Sequence, residues 1–243
     1  MTLSEDFYIG VYQFTQRQYE IVNGGRGSNF NNDADYATRP VEKVSWEALR
    51  GSGSPGQGYN WPVDGYAVNP GYFMAKIRAL SGLPQIDLPT DAQWEFACRA
   101  GCGNALYSGQ ELDSTTDSAR VNALGRTKFN GGLVNGSQGP AANCSAANGT
   151  AKVGSYAPNA WGIYDMYGNV HEWCRDRYQE NLTDVDGNTG PASTGDLKRV
   201  IRGGSWDAQG SQCRSGARDG VLSYNNGANI GFRLFCPAGF AQP

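Results

Sequence analysis

Thiols, one imidazole and a pair of carboxylates are the side chains here whose types could do chemistry. The six cysteines are Cys98, Cys102, Cys144, Cys174, Cys213 and Cys236. None forms a Cys-x-x-Cys pair, which argues against a zinc ribbon. A chain of 243 residues needs no disulfide scaffold. Free, mostly buried thiols are expected, and Cys174 with Cys213 is the pair in which a bridge would first be sought. His171 is the sole histidine. That excludes an iron or zinc site built on several imidazoles and leaves a Ser-His-Asp triad one base. A histidine packed at a loop edge is the plainer reading. No glycine-rich phosphate loop precedes a helix. Asp165 and Glu172 stand on either side of a turn signal, Gly168-Asn169.

The elements that must position these groups are short. Asp6 to Phe14 reads as an opening strand. Thr15 caps a short helix that Gly24 or Gly25 stops, and Ser45 caps another. Asn69-Pro70 supplies a cap and a first-turn proline, with Tyr72, Phe73, Ile77 and Leu80 on one face and Gly82 as the stop. Thr90 and Gln93 form a capping box ahead of Trp94, Phe96, Ala97 and Cys98, and Gly101 ends that helix. Periodicity then gives way to Gly, Asn and Ser between Gly103 and Ala160, and again between Asp176 and Lys198. Two irregular, packed excursions are expected there. Arg199 to Arg202 and Ile230 to Phe235 read as closing strands. Neither a repeat nor a linker interrupts the sequence, so one domain over residues 1–243 is expected.

Composition narrows the function classes. Hydrophobic residues make up 39% and charged residues 18%, so the chain should fold. The 34 glycines suit an architecture built on turns rather than long elements. With a formal charge of −3 and no extended Lys/Arg cluster, nucleic acid is not an expected partner. No apolar stretch reaches the roughly 18 residues of a membrane span, and the first residues do not form a signal peptide.

Four stretches, in order, carry a family resemblance. They are Leu88-Pro89-Thr90-Asp91-Ala92-Gln93-Trp94-Glu95-Phe96-Ala97, then Asn159 to Trp173 (NAWGIYDMYGNVHEW), Arg202-Gly203-Gly204-Ser205-Trp206, and Ile230-Gly231-Phe232-Arg233. Together they resemble the signature of the sulfatase-modifying, or formylglycine-generating enzyme, family. The resemblance implies an α+β, C-type-lectin-like fold of the formylglycine-generating-enzyme subtype: a small twisted antiparallel sheet, two helices and much irregular loop. It also implies calcium at the positions matching Asp165, Gly168, Val170 and Glu172, with Gly168 and Val170 lending backbone carbonyls. Hard oxygen donors on an irregular loop are what that ion takes. Asn122 matches another calcium position, but the loop after it departs from the family.

The family's enzymes hold copper with two cysteines after the Gly-Gly-Ser and oxidise a substrate cysteine; soft Cu(I) calls for thiolates. Counted back from Arg218, those two positions fall on Gly210 and Ser215. Cys213 is the only thiol between Ser205 and Phe235 and matches neither. Catalysis is therefore not expected, no cofactor is required, and Ca²⁺ is the one ion the resemblance allows.

The closing segment resembles another branch of this fold, the variable proteins of diversity-generating retroelements, in its run of Trp206, Cys213-Arg214-Ser215 and Ile230-Gly231-Phe232-Arg233. The resemblance implies a hypervariable region at about residues 200–235, diversified at adenines in its coding copy. An Asn codon so randomised cannot give Gln, Glu, Lys, Met or Trp, and residues 219–228 contain none of these. Gln209 and Gln212 would have to be fixed. The expected binding surface is Asp207, Ala208, Gly210, Ser211, Asp219, Gly220, Val221, Leu222, Ser223, Tyr224, Asn226 and Gly227. Tyr224 is the natural anchor, and Trp206, Arg214, Phe232 and Arg233 would hold the frame. A monomeric, non-catalytic binder of protein or other macromolecular ligands, on a cell surface or phage particle, is the leading expectation. A degenerate structural or regulatory relative and a single-thiol oxidase are the alternatives.

Overall fold

The computed structural model describes residues 3, 5–31, 34–51, 68–112, 118–130, 133–134, 137–138, 149–180 and 198–240. Its elements, in chain order, are β1 (Phe7–Ile9), α1 (Gln16–Asn23), α2 (Trp46–Arg50), α3 (Phe73–Ser81), α4 (Asp91–Arg99), α5 (Ser118–Asn122), β2 (Leu133–Val134), β3 (Ser137–Gln138), β4 (His171–Arg177), β5 (Lys198–Arg202), α6 (Gly210–Cys213), β6 (Arg218–Leu222), β7 (Ile230–Gly231) and β8 (Phe235–Pro237). Short elements with much loop between them give the expected α+β, C-type-lectin-like architecture.

Local chemistry sets most helix ends. Thr15 and Thr90 each accept from the backbone three residues on, while Gln18 and Gln93 reach back, so α1 and α4 both start in capping boxes. The Ser45 side chain caps α2. Gly24 and Gly82 close α1 and α3 in the left-handed conformation that glycine adopts without strain. The expected start of α3 is corrected: Tyr72, not Asn69, is its cap, and its buried face is Phe73, Met74 and Ile77. Leu80 is 68% exposed instead of buried. Ala100, in the left-handed conformation, is the cap that ends α4, one residue before the expected Gly101, whose φ is also positive at 87°.

The main sheet runs β6-β5-β4-β7, antiparallel except for the parallel pairing of β4 with β7. Separately, β1 pairs antiparallel with β8 and joins the two ends of the chain. The expected closing strand from Ile230 to Phe235 is split into β7 and β8, with Phe232 and Arg233 between them, both 0% exposed. Strands β4 and β6 were not anticipated. β4 shows no alternation because five of its seven residues are polar or charged, although most of it is buried. Trp173 and Ile201 join Phe14, Phe73, Leu88 and Phe232 in one core, while the adjacent Cys174 and Val200 join Trp94, Val121 and Met166 in another. Each fully buried large apolar side chain stabilises the fold by about 1.5–3 kcal/mol.

The excursion from Gly103 to Ala160 is irregular over its described part, apart from α5 and the β2–β3 pair. Most of the second excursion, and Cys144, lie outside the described residues. Cys174 and Cys213 are free thiols.

Candidate ligand-binding face and an oxygen nest

Backbone conformation builds the first site. Asp165, Gly168 and Asn169 all have positive φ, at 56°, 72° and 64°, and this winds the loop ahead of β4 tightly. Gly168 also passes so close to the Arg126 carbonyl that a Cβ would overlap it. The winding aims the carbonyls of Asp165, Gly168 and Val170 at one point, beside the Glu172 carboxylate. The Gln13 side-chain amide stands at that point. Its Nε2 donates to the carbonyls of Asp165 (3.2 Å), Gly168 (3.3 Å) and Val170 (3.0 Å) and to Glu172 Oε1 (3.0 Å).

Arg233 closes the nest from the other side. Its Nε donates to Glu172 Oε2 at 2.6 Å and its Nη2 to Oε1 at 2.7 Å. Trp94 Nε1 donates to the same Oε2 at 2.6 Å. Asp165 Oδ2 accepts from the Gly154 backbone at 2.6 Å while Oδ1 is buried without a hydrogen bond, and burial pushes the carboxyl up to about 6. The residues expected around calcium thus converge, but around an amide. Ca²⁺ takes about 6–8 oxygens at ~2.3–2.6 Å. Three carbonyls and one carboxylate oxygen already engaged by N–H donors do not fit it. Among the described residues no group of three or more His, Cys, Asp or Glu is placed to share a metal. Asn122 Oδ1 instead accepts from the Thr127 hydroxyl.

The second site is the face formed by residues 206–229. Beginning at Trp206, the chain makes α6, returns as edge strand β6, and turns back into β7. With β4 and β5 it walls a cavity of about 350 Å³ lined by His171, Arg202, Ser211, Gln212, Arg214 and Asp219 among others. Asp207, Asp219, Tyr224 and Asn226 are exposed, and Ser211, Gly220, Val221, Leu222 and Gly227 are half-buried. Ala208, Gly210 and Ser223 are buried, a correction to their expected exposure. Ala208 packs with Trp94 and Cys213 in one of the two cores. Gly210 opens α6. The Ser223 hydroxyl donates to Glu47 Oε1 at 2.7 Å.

Other expected positions are constrained as well. Val221 packs partly into the core. Gly220 lies so close to the Tyr178 ring that a side chain there would displace it. Asp207 accepts from Ser205 at 2.5 Å and from Asn229 at 3.1 Å. Of the frame residues, Phe232 and Arg233 are buried and Trp206 is half-buried, donating from Nε1 to the Ala228 carbonyl at 3.1 Å. Arg214 is exposed, and its guanidinium donates to the Ser211 carbonyl at 2.8 Å.

Sequence reasoning missed the cavity, and with it His171 and Gln212 as lining residues. His171 opens β4 and bounds the cavity, its Nδ1 buried without a partner, and burial holds the imidazole below its usual pKa. No local signal marks it, since the strand it opens was itself not anticipated.

Around the family's expected copper position the chemistry is that of a core. Cys213 is fully buried, and burial pushes its thiol up to about 12. Ser215, also buried, shares a 2.6 Å hydrogen bond with the Tyr167 hydroxyl.

The profile of the sulfatase-modifying factor enzyme 1-like domain matches residues 1–237. The chain belongs to this family. Among relatives within it, a chaperone protein LppX of Paenibacillus barcinonensis is 30% identical over 219 residues, 85% of this chain and 71% of that protein. The formylglycine-generating enzyme of Mus musculus is 32% identical over 154 residues, 60% of this chain but only 38% of the enzyme's length. In fold, the family member described here is similar to Treponema denticola variable protein 1, with a TM-score of 0.68 and 23% identity over 95% of this chain and 84% of the other.

Proposed function

We propose that this chain is a non-catalytic ligand-binding protein whose segment 207–228 is hypervariable, diversified by a retroelement to bind varied protein or other macromolecular ligands. The observation that carries this reading is the separation of rim from frame. Asp219, Tyr224 and Asn226 face solvent, while Trp206, Phe232 and Arg233 tie the segment's two ends into the scaffold. Exposed positions on a pinned loop can change at little cost to folding. Tyr224, 55% exposed, offers a stiff anchor for contact. The shared fold with a protein named as variable supports the same reading. Such a binder acts as a monomer at a cell surface or on a phage particle, and among the described residues no helix is long and apolar enough to cross a membrane.

Family membership alone would favour an oxidase, but the site does not. Copper capture and cysteine oxidation need accessible thiolates. Cys213 is a buried, protonated thiol, and the matching positions are the buried Gly210 and Ser215.

Deep sequencing of this gene across a growing population of its host tests the proposal. Substitutions should concentrate in codons for exposed residues of 207–228 and be derivable from Asn codons, with a near-copy of the segment beside a reverse transcriptase gene. An invariant segment with no such neighbourhood would overturn it.

A further inference from the structure

We infer that the Gln13 amide, backed by the Arg233 guanidinium, occupies the place a cation would take in the oxygen nest, so that this fold needs no calcium. A single added charge, Gln13→Glu, would convert the nest into a calcium site. This inference is independent of the ligand-binding reading.

Four distances carry it. The Gln13 Nε2 lies 3.0–3.3 Å from four oxygens of the 165–172 loop, and the side chain is 1% exposed. The network fixes the amide's orientation, because the opposite one would set a carbonyl oxygen against four acceptors. Two buried oxygens at the nest accept no hydrogen bond, Gln13 Oε1 and Asp165 Oδ1. One N–H₂ group, its two N–H bonds shared among four oxygens, thus stands where an ion stands elsewhere. It also joins segments more than 150 positions apart, Gln13 to Asp165 and beyond.

Charge points the same way. The nest's one carboxylate, Glu172, is matched by Arg233 through two short hydrogen bonds. Asp165, the other acid, accepts from the Gly154 backbone through Oδ2, keeps Oδ1 buried without a hydrogen bond, and offers the nest its carbonyl. A divalent ion would therefore face a guanidinium with no second carboxylate to balance it, whereas calcium sites gain affinity with ligand charge. Replacing the amide by a carboxylate inverts this balance. An oxygen would then face three carbonyls and Glu172 with no proton between them, and that repulsion is what a cation relieves.

The test uses the full chain after chelator treatment, with and without millimolar calcium. It is read by melting temperature, by titration calorimetry, and by fluorescence of Trp94, which donates to Glu172. The wild type should bind no calcium and melt within about 1 °C in the two conditions. Gln13→Glu should melt lower in chelator and regain roughly 5–10 °C with calcium. Gln13→Met, which removes the N–H₂ without adding charge, should melt lower in both. Stoichiometric calcium binding by the wild type, or loss of several degrees in chelator, would overturn the inference, as would a Gln13→Glu protein that folds and ignores calcium. Should that variant not fold, the wild-type and Met results decide.

Discussion

The indole of Trp206 donates to the carbonyl of Ala228 at 3.1 Å, so one side chain holds together the two ends of the segment between them. The same ring meets Phe30 edge-on at 5.5 Å. Trp206→Phe keeps most of the packing and removes the donor, and should cost about 1 kcal/mol. Trp206→Ala removes both and should cost about 3 kcal/mol or more. Denaturant unfolding of the two variants separates the contributions; equal losses would mean that the hydrogen bond is irrelevant.

Phe30 is itself held by an acid. Glu42, fully buried, accepts from the backbone N–H groups of Asn29 at 2.7 Å and Phe30 at 2.9 Å. Burial nevertheless raises its carboxyl from 4.5 to about 7. A raised carboxyl means that the folded state binds more protons than the unfolded state between those two values. Stability therefore falls as pH rises through that window and levels off above it. Glu42→Gln should remove this component, at most roughly 3 kcal/mol. The stability of Glu42→Gln relative to wild type should then rise between pH 5 and pH 8, in melting curves taken across that range (about 4.5–7 being the active window). A difference that is flat with pH would show Glu42 to be ionised throughout.

The thiols give a chemical test. Cys98, Cys174 and Cys213 are buried, and burial pushes all three thiols up, Cys98 and Cys213 to about 12. Cys102 is half-buried. Among the described cysteines, native-state alkylation at neutral pH should modify Cys102 first and Cys213 only on unfolding, since thiolate character and access govern the rate. The protein should also leave the cysteine of a sulfatase-motif peptide unchanged under oxygen and reductant. Formylglycine detected by mass in that peptide would refute the non-catalytic reading.

How far these features were legible in the sequence depends on the distance over which they are determined. The Thr15 and Thr90 caps act over three residues, and both helices begin where those residues place them. Motifs located the Asp165–Glu172 loop because its turn is local. Gln13 was not legible, because its partners lie more than 150 positions away and nothing nearby marks it as polar and buried. β4 was missed because five of its seven residues, His171, Glu172, Arg175, Asp176 and Arg177, are polar or charged, so it shows neither alternation nor an apolar run. Ala208 and Ser223 were misplaced for a related reason. Both have small side chains that suit either rim or core, and only Trp94 and Glu47, brought in by the fold, decide between them.

That correction sharpens the central prediction about tolerance. Asp219, Tyr224 and Asn226 are exposed, so replacing all three by other Asn-derivable residues should move stability by about 1.5 kcal/mol at most, since surface changes usually stay within about 0.5 kcal/mol each. For a chain of this size that is a melting shift of roughly 3–6 °C at most. Ser223 sits in the same stretch but is 4% exposed and donates to Glu47. Ser223→Val should therefore cost about 1–3 kcal/mol by leaving a partner unpaired. Phe232→Ala, which opens a cavity beside Phe14 and Phe73, should cost about 3–5 kcal/mol. The four proteins, melted side by side, rank the positions directly. If the triple variant falls as far as Phe232→Ala, the segment is structural, and a diversified surface cannot be located there.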